Sequence, residues 1–119
     1  MSQFITLAEA IQMTTLYRSE KENILADDYR DQNILPISEA FDRFEIETLL
    51  AKQGCAGLRI YYSMDTELKI HAIIVPFDDQ GQDILPTGDE PLTSNTSDII
   101  ERGFRCPPEC PPSSPLNPS

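Results

Sequence analysis

The sequence predicts an α+β domain in which two helices pack on a small antiparallel three-stranded meander, followed by an extended proline-rich C-terminal tail. Three observations predict it. Apolar residues recur at helical spacing in two early segments, they alternate with a period of two from Leu58 to Phe77, and prolines crowd the chain beyond Arg105. A length of 119 residues accommodates one ordinary domain and not two, which places a single domain at 1–103 and a tail at 104–119.

Thr6-Leu7-Ala8-Glu9 reads as a capping box, in which a hydroxyl and a carboxylate satisfy the N–H groups that a helix start leaves unpaired. Leu7, Ala10, Ile11, Thr14 and Tyr17 then form one stripe, widened by Met13 and Leu16, which predicts a first helix from Leu7 to Asn23. The pattern dissolves between Ala26 and Gln32, and Ile34-Leu35-Pro36 follows as a short strand, because proline biases the residue before it toward extended backbone. Asp42 and Glu45 repeat the capping pattern. Ile46, Leu49 and Leu50 supply the face of a second helix that stops at Gly54.

Leu58, Ile60, Tyr62 and Met64 alternate with Arg59, Tyr61 and Ser63, the signature of a half-buried strand. After a turn at Asp65-Thr66-Glu67, Leu68 to Phe77 carries apolar residues on both faces, which predicts a central strand ending near Pro76. Asp78-Asp79-Gln80-Gly81 is a second turn, and Asp83 to Pro86 the third strand of the meander. Three aspartates around Gly81 lack the alternating ligands and closing glutamate of a calcium loop, so a hairpin turn explains them. Thr87 to Thr96 reads as a polar linker, and Ser97 to Arg102 as one or two helical turns closed by Gly103.

Charge narrows the partners. Twenty acidic residues against nine basic ones give a formal charge of -11, which repels phosphate backbones and anionic headgroups; the acids are scattered and read first as a solvated surface, with a basic protein partner or cations as the functional reading. No run approaches the length of a membrane span, and the N-terminal segment lacks a basic region, which predicts a cytoplasmic protein. An odd count of three cysteines argues for reduced thiols, with one pair plus a free thiol as the other arrangement.

Six prolines from Pro107 to Pro118 favour polyproline II, and Pro112, Pro115 and Pro118 recur on one edge of such a helix. The tail is therefore a candidate docking strip, with Phe104, Cys106, Pro108, Cys110, Pro112, Pro115 and Leu116 as its contact residues; the other readings are a tail lying on its own domain, anchored by Phe104 and Leu116, or a disordered one. Gly57-Leu58-Arg59-Ile60-Tyr61-Tyr62, Ile73-Ile74-Val75 and the Cys-Pro-Pro-x-Cys-Pro-Pro tail together resemble an uncharacterised family of short Bacteroidota proteins. The resemblance implies a cytoplasmic bacterial protein and brings no activity or site residues with it.

No catalytic motif is present: the chain has no phosphate-binding glycine loop, no His-Glu-x-x-His and no nucleophile elbow. The expected function is a non-enzymatic interaction module that uses an acidic surface and the Pro-rich tail, without a cofactor. The alternative is a thiol or zinc-binding protein. Cys55, His71, Cys106 and Cys110 make up the Cys3His set of a structural zinc site, yet in polyproline II Cys106 and Cys110 stand about 12 Å apart unless a cis proline reverses the chain.

Overall fold

The computed structural model describes residues 2–86 and 98–118. The elements run α1 (Leu7–Glu20), a single 3-10 turn (Asp27–Tyr29), β1 (Ser38–Ala40), α2 (Arg43–Leu50), β2 (Gly57–Met64), β3 (Ile70–Phe77) and β4 (Phe104–Cys106). The class is α+β. The four strands form two antiparallel pairs, β1 with β4 and β2 with β3.

Helix α1 starts where the capping residues place it. Thr6 Oγ1 accepts the Glu9 N–H at 3.0 Å and donates to the Glu9 carboxylate. Ala10, Ile11, Thr14 and Tyr17 are its half-buried stripe, and the Tyr17 hydroxyl donates to the Pro36 carbonyl at 2.7 Å. Leu7, Met13 and Leu16 stay exposed, so the contact is narrower than the sequence predicts. Helix α2 lacks the expected capping bond, since the Asp42 side chain caps nothing. Leu49, 1% exposed, anchors it, while Leu50 points outward. Gly54 at φ +82 takes the left-handed turn into β2 that side chains resist.

Strand β3 has one partner strand, β2, so the central position expected from its two-faced apolar pattern is filled on the other edge by irregular segments. One edge pairs with β2 from Gly57↔Phe77 to Met64↔Ile70. The other collects irregular segments: Ile70 N–H donates to Ile34 O, Ala72 N–H to the Glu39 carboxylate, and Ile74 exchanges two bonds with Ile100. Pro76 fits because its missing donor lies on this second edge, where its carbonyl accepts from Ile84 N–H at 2.8 Å. The third strand of the meander thus shrinks to the Phe77↔Asp83 bridge and that bond. The strand expected at Ile34 to Pro36 lies instead at Ser38–Ala40. The expected turns hold: the Asp65 and Asp78 carboxylates each accept two backbone N–H groups across their loops.

The larger correction concerns the tail. Phe104–Cys106 is a strand, in register with Ser38–Ala40, and Cys106 is fully buried. Arg105, 8% exposed, donates from its guanidinium to the carbonyls of Ile70, Asn33 and Ile34. The chain then doubles back. Cys106-Pro107 and Pro107-Pro108 are cis, Cys106 and Cys110 are joined as a disulfide, and their Cα atoms lie 4.4 Å apart, against about 12 Å for an extended polyproline stretch. A second reversal pairs Ser114 with Asn117, and Arg18 of α1 donates to the Leu116 carbonyl. With Ile34, Leu49, Ile74, Val75 and Pro76, Cys106 makes up the small core of the described residues.

Candidate functional site

Helix α2 and the segment from Ile99 to Phe104 face each other across an open groove of about 550 Å³. Phe41, Leu49, Ile99, Phe104 and the 75% exposed Phe44 supply the apolar part of its lining. Asp42, Glu45 and Glu101 supply carboxylates around it, with Arg102 as the one cationic side chain. Two features fix the spacing of the walls. Lys52, just beyond α2, pairs with Asp98 at 2.7 Å, and Ile100 is bridged to β3.

Gly103 is required by a close approach rather than by a helix end. A Cβ there would lie 2.7 Å from both Glu39 Cγ and Phe41 Cζ. The helical turns expected up to Arg102 are absent over the described residues 98–102, where Ile100 is extended against β3; Ser97 lies outside them.

Glu101 also joins a half-buried polar cluster. His71 Nε2 lies 2.8 Å from the Asp65 carboxylate, while Nδ1 lies 3.3 Å from Glu101 and 3.9 Å from Glu39. Asp65 accepts from the Nε2 side, so Nε2 carries a proton. That contact, with N–H groups from Lys69 and Glu67, holds the Asp65 carboxyl below the usual carboxylate range. Glu39 has an 8% exposed side chain, and its Oε1 accepts from Ala72 N–H. Its Oε2 and His71 Nδ1 are both buried without a hydrogen-bond partner. The ring's side-chain partners are carboxylates, so the cluster offers charge pairing and no poised nucleophile.

The Cys3His set is not brought together. Cys106 and Cys110 are bonded to each other, and Cys55 donates its thiol to the Gly57 carbonyl. Gly57 and the His71 partner Ser63 lie six residues apart on β2, about 20 Å. Among the described residues no group of three or more His, Cys, Asp or Glu is arranged to hold a metal ion, and no helix is long and apolar enough to cross a membrane.

No protein-family model, curated protein or solved structure matches the chain.

Of the tail residues singled out from sequence, Phe104 lines the groove and Cys106 is buried in the core. Pro108, Cys110, Pro112, Pro115 and Leu116 are exposed on the folded-back loop. Phe41, Phe44, Ile99 and the three carboxylates around His71 were not singled out. No helical spacing marks Phe41 and Phe44, since Phe41 precedes the Asp42 cap and Phe44 lies in the first turn of α2.

A second polar group closes the far end of the sheet. Arg59 and Tyr61 on β2 both donate to the Asp83 carboxylate, and the Arg59 guanidinium sits 4.9 Å above the Phe77 ring. The hydroxyl and guanidinium donors hold Asp83 low, and the carboxylate pushes the Tyr61 phenol up.

Proposed function

We propose that this protein is a non-enzymatic interaction module whose groove takes a basic segment of a partner protein, with the exposed proline loop as a flanking contact. The observation that carries the reading is the pairing of aromatic walls with a carboxylate rim in a chain of formal charge -11. Phe44 and Phe104 offer aromatic faces to a Lys or Arg side chain, a contact of about 0.5–2 kcal/mol, and Asp42, Glu45 and Glu101 supply the charge that steers it. The same charge opposes nucleic acid and anionic lipid. The partner class is therefore a cationic polypeptide. A cytoplasmic location belongs to the reading too, although a closed Cys106–Cys110 bond is more at home in an oxidising compartment.

The test is selection of a displayed random-peptide library on the full chain, followed by anisotropy titration of the enriched peptides. The reading expects Lys- or Arg-bearing sequences with an apolar anchor, bound more weakly as salt rises and lost in Phe44→Ala. Side-chain exposure at Phe44 means that this variant keeps its fold. Changing Pro112, Pro115 and Leu116 together in the full chain measures the loop's share. Peptides without basic residues, or binding indifferent to Phe44→Ala, would end the proposal.

A further inference from the structure

Strand β2 is an eight-residue edge. Asp65 N–H bonds Lys69 O, and the bonds from Ile70, Ala72 and Ile74 leave β3 on its far side. By the alternation of an antiparallel ladder, the odd-numbered residues of β2 therefore bond β3 and the even-numbered ones aim their N–H and C=O groups outward. Among the described residues nothing pairs with them. The side chains of these even positions, Leu58, Ile60, Tyr62 and Met64, share one face, and the last three are exposed, Tyr62 at 82%.

Natural edges of this length are guarded by Lys, Pro, inward charge or a bulge. This one is not. Between Gly57 and Met64 there is no acid, no lysine and no proline, and the single charge, Arg59, lies on the other face and is held by Asp83. In a chain of charge -11, β2 is a segment where a like-charged molecule meets no carboxylate.

We propose that β2 pairs with β2 of a second copy, antiparallel about a two-fold axis at Tyr61, to give a continuous four-stranded sheet. The strand is its own complement in this register. Ile60 stands opposite Tyr62 of the other copy and Leu58 opposite Met64, so the outward groups at all four even positions form about eight hydrogen bonds. Arg59 faces Ser63 rather than another arginine. Charge selects the direction as well. The Asp65 turn of each copy lands beside Gly57 of the other, so the two acidic turns stand about 26 Å apart, well beyond the roughly 8–10 Å over which salt lets exposed charges interact. Parallel pairing would set them side by side.

Sedimentation equilibrium of the full chain should give twice the 13.4 kDa chain mass. Tyr62→Glu, which puts a carboxylate on the acid-free edge, should return it to 13.4 kDa with an unchanged circular dichroism spectrum. Position 61 alone meets itself across the axis, in a non-hydrogen-bonded pair close enough for a disulfide. Tyr61→Cys in a Cys55→Ser background should therefore oxidise to a covalent dimer, whereas Ser63→Cys in the same background should not. A chain that stays monomeric at every concentration overturns the proposal, and so does a dimer that survives Tyr62→Glu or closes equally well through position 63. A β2 edge used instead by a strand of another protein would appear as the monomeric outcome.

Discussion

Arg105 decides whether the C-terminal segment is part of the fold. Its Nε donates to Ile70 O at 3.0 Å, and one terminal nitrogen donates to Asn33 O at 3.0 Å and Ile34 O at 3.2 Å. Replacement by alanine removes three charge-assisted bonds and leaves Asn33 O and Ile70 O without these donors beside the core. Each bond from a charged donor contributes about 1.5–3 kcal/mol, but the three share one side chain and do not add, so a loss of about 3–5 kcal/mol is expected. Against the roughly 5–15 kcal/mol that holds a domain together, this is a large share. A fall in Tm of about 10 °C or more follows. Arg105→Lys keeps the charge and loses the fork, and should fall between the two. Urea and thermal unfolding followed by far-ultraviolet circular dichroism read the difference. An Arg105→Ala protein within about 1 kcal/mol of the parent would mean that β4 contributes nothing to the cooperative unit, and that a domain ending at Gly103 is the better description.

Three further outcomes follow from the same geometry. Asp65 is held below its ordinary value in the fold, so its contribution is present above that value and is lost as pH falls through the lowered one. The stability gap between parent and Asp65→Asn should therefore close progressively in acid, as acid titration of both proteins would show; a gap that widens in acid contradicts it. Alkylation of unreduced protein under denaturing conditions, read by intact mass, should label Cys55 alone, and reduction first should raise the count to three. Gly103→Ala places a methyl 2.7 Å from Glu39 and Phe41 atoms and should cost about 1–3 kcal/mol in urea unfolding, whereas a neutral change would show that β1 can shift.

How much of this was legible depends on where each element finds its partners. Helix α1, helix α2 and the β2–β3 hairpin are local objects. Thr6 caps its own helix, Gly54 and the Asp65 loop terminate neighbours, and alternation over eight residues exceeds what loops show by chance. Strands β1 and β4 are three residues each, and Ser38-Glu39-Ala40 has no strand propensity; they exist because residues more than sixty positions apart pair. Proline content argued for an extended tail because the rule for polyproline counts trans residues and knows nothing of Arg105, whose three carbonyl partners come from two other segments.

The site follows the same division with a sharper consequence. His71 was visible as the only histidine, but its partners Asp65, Glu39 and Glu101 come from a turn, a short strand and the chain beyond residue 98, and only the turn is near in sequence. The groove likewise needs Phe104 beside α2, which the β1–β4 register provides. One structural fact, the return of 98–106 across β3 and β1, thus builds the groove, buries Cys106 and completes the carboxylate cage. Composition had already supplied the sign of the charge. What it lacked was the place where that charge meets apolar surface, and recognition of a cationic polypeptide needs both, because charge alone steers while the aromatic wall holds.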